Sequence, residues 1–438
     1  MHIIVLGAGI IGVSTAWHLA ERGHTVTVVD RQADAALETS FANAAQISVS
    51  YCEPWANREA PLKALKWMFS KEAPLLFRPT FDIQQWLWGL RFLGQCHDAA
   101  FERNVRQLVA LGAYSHAALK DVVASTGIEY QRLTRGIAHY YTDQKSFDGA
   151  ADAAALMRRH GVQRRVVDRD ELLRIEPALA AYGERIVGGT YTPSDESGDA
   201  RVFTQELARR CAARGVRFLW NHDVLRLIRT GGQVTATALR DRASGEVVTE
   251  RADATVVACG SYSAPLLRTV GVNLPIYPGK GYSATLRLRR PEAAPSVSLL
   301  DDSVKCAMSR LGDTLRIAGT IEVGGWDLTL DTPLARARCA MLVRRVEEVF
   351  PGVCELDEPN FWAGLRPATP TNIPFIGATR VGRLWVNAGH GTLGWTHGAG
   401  SGKALAELIS GTQPALDFGF TGPRAPGLRA APPLPSAA

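Results

Sequence analysis

The 438-residue chain has no apolar run that approaches the roughly 20 residues needed to span a bilayer as a helix. It also has no secretory leader pattern, since a glycine-rich motif follows the first short apolar run at once. We therefore expect the body of the protein to stay in the cytoplasm.

Cysteine is sparse, and no basic cluster is long. The seven cysteines form no C-x-x-C pair and show no regular spacing, so we expect buried free thiols and neither a zinc site nor a disulfide framework. The net charge is +6, but lysine and arginine are scattered along the chain. We expect no nucleic-acid partner and no metal.

The length suggests two or three domains, at roughly 150 residues for each domain. Hydrophobic periodicity predicts a mixture of helices and strands with no internal repeat. The predicted helices cover residues 99–126, 147–160, 166–176, 201–214, 333–349 and 396–409. The predicted strands include 216–228, 234–240, 246–251, 254–258, 281–288, 314–321 and 384–387, with 188–199 as a loop and the proline-rich last 16 residues as a disordered tail.

The most informative motif is the glycine-rich turn Gly7–Gly12, which follows the apolar strand Ile3–Leu6 and precedes a helical pattern that ends at Gly23. Asp30 closes the next apolar run. This order of strand, glycine turn, helix, strand and acid is typical of a site where a pyrophosphate meets a helix N-terminus and a carboxylate binds ribose hydroxyls. A purely structural turn is the alternative interpretation.

Within this turn, Gly7 is the predicted turn former, Gly9 the point of close phosphate approach and Gly12 the contact between helix and sheet. These residues alone leave NAD and FAD open. A second glycine-rich turn, Gly389–Gly394, precedes the last helix and favours a flavin, because a helix N-terminus stabilises the anionic reduced ring.

Several further motifs accompany the glycine turn. They are Leu37–Ser40 with Asn43-Ala44, Pro61–Ala64 with Lys66–Phe69, Ala258–Gly260, Lys280–Ser283, Gly364–Pro367 and Gly389–Thr396. With these in view, the chain resembles, from residue 1 to about residue 415, the flavin-dependent amine and amino-acid oxidoreductases of the D-amino-acid oxidase and glycine oxidase group.

The resemblance implies an α/β fold in which an N-terminal Rossmann-type FAD-binding domain is joined to a second, α+β substrate domain. The expected FAD-binding domain comprises residues 1–48, 150–265 and 355–420, and the substrate domain comprises 49–149 and 266–354, with 421–438 as the tail. The predicted cofactor-binding residues are Ile3, Ile4, Val5, Leu6, Gly7, Ala8, Gly9, Ile10, Ile11, Gly12, Asp30, Arg31, Thr39, Ser40, Asn43, Ala44, Gln46, Val224, Gly260, Gly389, His390, Gly391, Thr392, Leu393 and Gly394.

The resemblance also implies an activity, the oxidation of a D-amino acid such as D-alanine to a 2-oxo acid and ammonia. Arg366 is the expected catalytic residue, because its guanidinium fork suits a substrate carboxylate; a surface arginine in a compact turn is the alternative. His390 is expected to contact the flavin rather than act as a base. Tyr191, Tyr262 and Tyr282 are candidates for either the amine pocket or the core.

Two positions depart from the pattern of the group. Ala45 replaces a glycine in the flavin-facing loop, and Thr371-Asn372 replaces Asp-Gly.

Two other functions stay open: an oxygen-using oxidase of glycine, sarcosine or hydroxyproline, and a dinucleotide-binding relay protein without turnover.

Residues 55–96 contain four of the ten tryptophans together with several lysines and arginines. This composition suits a membrane interface, and it suits equally a hydrophobic lid over a substrate channel. Because the related dehydrogenases pass electrons to the respiratory chain, the resemblance implies a quinone or similar acceptor and peripheral contact with the inner face of the cytoplasmic membrane.

Overall fold

A computed structural model describes residues 1–62 and 74–422 of the chain. The predicted disordered residues 423–438, and Lys63, Lys66, Trp67 and Lys71 of the apolar segment, lie outside the described residues. The fully described helices are α1 (Ile10–Glu21), α2 (Ile83–Leu93), α3 (Asp98–Thr126), α4 (Gln144–Asp148), α5 (Ala150–Arg159), α6 (Arg169–Ile175), α7 (Ala200–Ala213), α8 (Ser263–Arg268), α9 (Pro333–Val349) and α10 (Gly394–Ile409).

The strands are likewise numbered in chain order. They are β1 (His2–Leu6), β2 (Thr25–Val29), β3 (Gln46–Ile47), β4 (Leu75–Phe77), β5 (Ile137–Tyr141), β6 (Arg165–Asp168), β7 (Gly188–Thr192), β8 (Glu196–Ser197), β9 (Arg217–Leu219), β10 (His222–Thr230), β11 (Gln233–Asp241), β12 (Val247–Arg251), β13 (Ala254–Val257), β14 (Tyr277–Arg287), β15 (Ser298–Asp301), β16 (Cys306–Leu311), β17 (Thr314–Val323), β18 (Asn360–Ala368), β19 (Phe375–Ala378) and β20 (Leu384–Ala388).

The first sheet has the strand order β19-β20-β13-β1-β2-β9 and is parallel except for β19. Its central strand β1 has Ile3, Ile4, Val5 and Leu6 fully buried. A continuous apolar run of this kind is what a parallel strand covered on both faces requires. The antiparallel sheet β10-β11-β12 and the helices α1, α3, α7 and α10 cover its faces.

The second sheet has the order β18-β14-β17-β16-β15-β5-β7-β6, with β4 paired to the end of β17. It is mainly antiparallel, and α9 packs on it through Leu342 and Val346. The sequence places α9 correctly because its apolar positions recur at helical spacing and Thr332 caps its first turn by accepting from the Ala335 N–H.

The pairing of the strands favours domain boundaries that differ from those suggested by the sequence. Strands β6, β7 and β18 fall in ranges assigned to the cofactor domain, yet they pair within the second sheet. Helix α3 lies in a range assigned to the substrate domain, yet it contributes Leu111 and Ala118 to the core around α1. We therefore propose that 165–192 and 360–368 belong with the substrate domain and that α3 belongs with the cofactor domain. Thr421 donates to Ile376 O at 2.8 Å, so the start of the predicted tail is tied to the first sheet.

Three local predictions are wrong. Val166 lies in a strand rather than a helix, residues 216–228 split between β9 and β10, and the predicted loop 188–199 begins as β7. The glycines that suggested a loop are required by packing, since a Cβ at Gly188 would lie 2.3 Å from the Phe147 ring and one at Gly189 would lie 2.5 Å from His139 O. Glycine here marks a crowded strand rather than a turn.

The apolar segment divides into a buried and an exposed part. Trp88 is only 6% exposed and its Nε1–H donates to Ala368 O, so this tryptophan belongs to the core. The opposite face of α2 is exposed at Ile83 and Leu90. No helix among the described residues is long and apolar enough to cross a bilayer. All seven cysteines are free thiols, and five of them are buried.

Both departures from the pattern of the group fall at left-handed backbone positions. Ala45 has φ +60° and Asn372 has φ +60°. Asparagine adopts this conformation readily, and its Oδ1 here accepts from the Trp55 N–H at 2.9 Å. Alanine adopts it at a cost of about 1–2 kcal/mol, because its Cβ crowds the following carbonyl. The backbone therefore keeps a geometry suited to glycine at both positions.

We predict that Ala45→Gly raises the free energy of unfolding by about 0.5–1 kcal/mol, since relief of left-handed strain exceeds the extra chain entropy of glycine. Chemical denaturation measures this change. Asn372→Gly is the control and should not stabilise the protein, because it loses the bond to Trp55. Equal stabilisation by both substitutions would contradict this account of Ala45.

Candidate functional site

The Gly7–Gly12 turn forms one end of a cavity of about 320 Å³. Gly7 has φ +103°, and a Cβ there would lie 2.5 Å from Ala258 O. At Gly12 a Cβ would lie 1.8 Å from Gly7 O, whereas at Gly9 the nearest atom is Ser40 Oγ at 3.4 Å. Gly7 and Gly12 are thus required by the protein's own packing, while Gly9 keeps space open on the cavity.

The N-terminus of α1 opens on the same cavity. Gly9 is its N-cap and supplies no side chain, and the Ile10 N–H donates to Ser40 Oγ at 3.2 Å. Uncapped amides at a helix N-terminus carry positive partial charge and suit a phosphate. Ser40 and Thr39 come from the polar loop that the sequence identified as a binding loop, and both line the cavity.

Asp30 ends β2 beside this turn. Its Oδ2 accepts from the Ala8 N–H at 2.6 Å and its Oδ1 accepts from the Gln32 N–H at 2.9 Å. Burial raises the pKa of Asp30, and these two bonds oppose the rise. The carboxylate lines the cavity and fixes the glycine turn at the same time.

Arg31 lies next to Asp30 and forms a bidentate pair with Glu38, at 2.6 and 2.7 Å. Its guanidinium lies 4.1 Å from the ring centre of Tyr262. All three side chains line the cavity. Stacked planar groups of this kind suit the ribose and adenine end of a dinucleotide.

The second glycine-rich turn, 389–394, joins β20 to α10 and lines the cavity with Gly389, Gly391 and Thr392. Gly389 has φ +92°, and no side chain caps α10. His390 is 2% exposed, and its Nε2 has no partner within the described residues. Burial lowers the pKa of His390 well below its ordinary value, so the ring is neutral at pH 7.

Arg366 projects into the cavity from β18, not from a turn as the sequence suggests. The Gly-Leu-Arg-Pro segment is extended because it pairs with β14, with Gly279 opposite Arg366, and Pro367 is tolerated because β18 is an edge strand. A Cβ at Gly281 would lie 2.4 Å from Arg366 Cζ. Glycine at this position therefore gives the guanidinium its space.

The charge of Arg366 meets no carboxylate among the described residues. Its Nη1–H donates to Thr320 O at 2.6 Å, and burial lowers the pKa of Arg366 to about 10. Thr320 has φ +52°, which is unusual for a β-branched residue, and it lies where the pairing of β17 with β14 shifts register. This irregularity points the Thr320 carbonyl at the guanidinium. A cation that lines a cavity without a carboxylate partner is a ready partner for an anionic ligand.

Tyr282 lines the cavity near Arg366, and its hydroxyl donates to Glu322 Oε2 at 2.8 Å. Burial and this carboxylate raise the pKa of Tyr282 above its ordinary value, so the hydroxyl keeps its proton. Tyr191 lies elsewhere and donates to Arg135 O. Of the three candidate tyrosines, Tyr262 and Tyr282 reach the cavity.

The structure brings most of the predicted site residues together. Those that line the cavity are Gly7, Gly9, Ile10, Ile11, Asp30, Arg31, Thr39, Ser40, Asn43, Val224, Gly260, Arg366, Gly389, His390, Gly391, Thr392 and Gly394. Those behind the lining are Ile3, Ile4, Val5, Leu6, Ala8, Gly12, Ala44, Gln46 and Leu393. Most of them lie in β1 or are chain neighbours of residues that line the cavity.

Several lining residues were not predicted from the sequence, namely Glu38, Ala42, His222, Asp223, Trp362 and Asn387. Glu38 was detectable in principle, because it stands within the Leu37–Ser40 motif. Trp362 gives no local signal, since only the pairing of β18 with β14 brings it to the cavity.

The residues present fit an elongated dinucleotide that ends in a flavin. Gly9 leaves room where a phosphate approaches α1, and two further lining residues, His390 and Asn387, each carry a buried polar atom, Nε2 and Oδ1, without a partner within the described residues. Buried polar atoms without protein partners are expected where a ligand completes their hydrogen bonds. Among the described residues, no three His, Cys, Asp or Glu side chains form a group that could hold a metal ion.

Comparisons with known proteins agree with this fit. A family model described as FAD dependent oxidoreductase (DAO) matches residues 2–408. A D-amino acid dehydrogenase of Dechloromonas aromatica is 49% identical over 421 residues, covering 96% of this chain and 99% of the relative. A protein of the same name from Paramagnetospirillum magneticum is 45% identical, with coverage of 95% and 97%.

Two solved structures share the fold. Glycine oxidase from Bacillus cereus superposes with a TM-score of 0.70 at 22% identity, covering 94% of this chain and 98% of that chain. L-proline dehydrogenase from P. horikoshii gives a TM-score of 0.71 at 16% identity, with coverage of 95% and 94%. The chain belongs to the family of FAD-dependent oxidoreductases, FAD is its cofactor, and the predicted fold class is confirmed.

We predict that Gly9→Val lowers FAD occupancy strongly while the free energy of unfolding of the apoprotein changes little, because only Ser40 Oγ lies close to the new Cβ. The ratio of flavin to protein absorbance measures occupancy. Gly12→Val is the contrast and should impair folding itself, since its Cβ meets Gly7 O at 1.8 Å. Full flavin occupancy in Gly9→Val would show that the pyrophosphate does not pass this turn.

Proposed function

We propose that this member of the FAD-dependent oxidoreductase family is a D-amino-acid dehydrogenase, with D-alanine as the expected substrate. The substrate becomes an imino acid, which water converts to a 2-oxo acid and ammonia. Bound FAD supplies the acceptor for the hydride that leaves the substrate Cα. Both relatives are named D-amino acid dehydrogenase, which supports the D-configuration of the substrate. The position of Arg366 in the cavity is the observation that supports an amino acid as the substrate.

Arg366 supports an amino-acid substrate through its charge and its surroundings. The guanidinium lines the cavity without a carboxylate partner among the described residues, and its one hydrogen bond, to Thr320 O, leaves further donors for a ligand. Two parallel hydrogen bonds from such a fork match a carboxylate in geometry and charge. A substrate anchored there presents its Cα to the space between Arg366 and the 389–394 turn.

The remaining side chains near this space bind and orient rather than take up a proton. His390 is neutral because burial lowers its pKa, so it is a weak base at pH 7. Tyr282 keeps its proton in the bond to Glu322. A substrate amine that arrives deprotonated needs no strong base in this arrangement, and release of the ammonium proton to solvent precedes hydride transfer.

We predict that Arg366→Ala lowers kcat/KM for D-alanine about 30-fold to 1000-fold, which corresponds to the loss of a charge-assisted bidentate contact of about 2–4 kcal/mol. Anaerobic flavin reduction in a rapid-mixing instrument measures the rate. Flavin content serves as the control and should stay at the wild-type ratio. Reduction by D-alanine at an unchanged rate would exclude Arg366 from carboxylate binding.

The proposed electron acceptor is a respiratory quinone rather than oxygen, and the proposed location is the inner face of the cytoplasmic membrane. Support comes from the exposed face of α2. Residues Ile83, Trp86, Leu87 and Leu90 recur at helical spacing and are 63%, 46%, 40% and 67% exposed. A contiguous apolar surface of this kind marks an interaction site, and a half-exposed indole together with the exposed Arg91 on one helix suits a lipid interface.

The same helix is fixed firmly to the second sheet. Gln85 is fully buried, and its Nε2 donates to Arg78 O at 2.7 Å and to Val323 O at 3.0 Å. The buried Trp88 makes a third attachment through Ala368 O. The outward apolar face can therefore bind a bilayer without moving the strands that line the cavity.

We predict that the double variant Leu87→Ser/Leu90→Ser binds anionic liposomes about tenfold or more weakly, since each leucine loses apolar burial worth at least about 1 kcal/mol. Flotation with phosphatidylglycerol vesicles measures binding. Flavin reduction by substrate should be unchanged, because neither side chain lines the cavity.

The matched control is Leu225→Ser/Val247→Ser, which alters two residues of similar exposure, 40% and 58%, on the β10-β11-β12 sheet. It should bind vesicles like the wild type. Wild-type protein that ignores anionic vesicles and releases peroxide at its full turnover rate would contradict the proposal and favour an oxygen-using oxidase.

A further inference from the structure

The edge strand β18 places Trp362 and Arg366 on the same face of the second sheet. Side chains two residues apart in a strand point to one face, so Trp362, Gly364 and Arg366 share a face. All three line the first cavity. Trp362 is the only aromatic side chain on this face of β18, because the face otherwise carries Asn360, Gly364, Arg366 and Ala368.

The indole of Trp362 lies over Gly364 and extends toward Arg366. A Cβ at Gly364 would lie 2.0 Å from Trp362 Cη2, which is at the far end of the six-membered ring. Only glycine at this position lets the ring lie against the strand. Because residues i and i+2 of a strand are about 7 Å apart, the far end of the indole is next to the residue that we propose binds the substrate carboxylate.

Phe41 holds the indole in this position. The rings of Phe41 and Trp362 stack with their centres 6.3 Å apart and their planes inclined by 27°. The Arg201 guanidinium lies 4.2 Å from the centre of the Phe41 ring. Phe41 directly follows Thr39 and Ser40, which line the first cavity. The indole is therefore fixed between β18 and the loop that contributes to the cofactor site.

A second cavity of about 260 Å³ lies beyond Trp362, and Trp362 and Ala42 line both cavities. The sheet contributes Thr285, Arg316 and Asn360 to the lining of the second cavity. Asn360 comes two residues before Trp362 in β18, whereas Arg366 comes four residues after it. Along this strand the indole thus separates the second cavity from the guanidinium.

The other lining residues of this sheet face near Arg366 add little bulk. The guanidinium itself fills the space above Gly281, since a Cβ there would lie 2.4 Å from Arg366 Cζ. Ala318 lines the cavity with no more than a methyl group. A substrate whose carboxylate binds Arg366 therefore has Trp362 as its large apolar neighbour on β18.

We propose that Trp362 sets the upper size limit of the substrate side chain, because its indole closes the carboxylate-binding end of the first cavity toward the second cavity. This inference rests on the proposed function, since it concerns the side-chain preference of the same substrate. The methyl group of D-alanine fits in front of the indole. The benzyl group of D-phenylalanine needs the space that the indole occupies, so the wild type discriminates against it by steric exclusion.

The test compares FAD-loaded wild type and Trp362→Ala in anaerobic rapid mixing with D-alanine and with D-phenylalanine. For each substrate, the dependence of the flavin reduction rate on concentration gives an apparent second-order rate constant. The ratio of this constant for D-phenylalanine to that for D-alanine should rise about tenfold or more in the variant, as expected when a steric limit of a few carbon atoms is removed. A purely structural role of Trp362 would slow both substrates together and leave the ratio unchanged.

Phe361→Ala is the matched control. Phe361 precedes Trp362 in β18, so its side chain points to the opposite face, where it packs against the core that contains Leu342 and Val346 of α9. It lines neither cavity. The control removes an aromatic ring from the same strand, and its substrate ratio should match that of the wild type.

Trp362→Phe is the second variant, and it decides the question if Trp362→Ala does not retain FAD. Its smaller ring still stacks on Phe41, so the substrate ratio should rise in the same direction by a smaller factor. An unchanged ratio in Trp362→Ala, or in Trp362→Phe if the alanine variant loses FAD, would overturn the size limit while D-alanine still reduces the wild-type flavin. A wild-type flavin that no D-amino acid reduces would instead refute the proposed function, and the size limit with it.

Discussion

The close approach of the last helix to the first is the constraint on which the site depends. A Cβ at Gly402 of α10 would lie 2.6 Å from the Ser14 carbonyl carbon of α1, and one at Gly398 would lie 2.7 Å from Ile10 Cγ1. Only glycine allows the two backbones to come so near. This contact sets the 389–394 turn beside the 7–12 turn, so that two helix N-termini from opposite ends of the chain, neither with a side-chain bond from its own N-cap residue, lie at one cavity.

The opposite wall of the cavity also depends on a glycine that leaves space for a neighbouring group. Gly281 leaves the space that the Arg366 guanidinium fills, and the irregular backbone at Thr320 supplies the carbonyl that orients it. Glu322, two residues further along β17, accepts from Tyr282 and pairs with Arg78 at 2.6 Å. The proposed substrate end of the site is therefore built on the three adjacent strands β18, β14 and β17, the last of which pairs with β4.

The arrangement separates three tasks in space. In the proposed function, dinucleotide binding uses the parallel sheet and two helix N-termini, substrate carboxylate binding uses the antiparallel sheet, and membrane contact uses the exposed apolar face of α2, which does not line the cavity.

The sequence by itself determined the features that depend on local order along the chain. The strand, glycine turn and helix from Ile3 to Glu21, the helix α9 and the glycine turn before α10 are each specified by neighbouring residues and were predictable. The strand that carries Arg366, the burial of Trp88 and the second cavity around Arg316 were decided only in the tertiary structure. Each of these depends on partners dozens to hundreds of residues away, and a side chain's burial, charge environment and free donors are properties of those partners rather than of its neighbours in sequence.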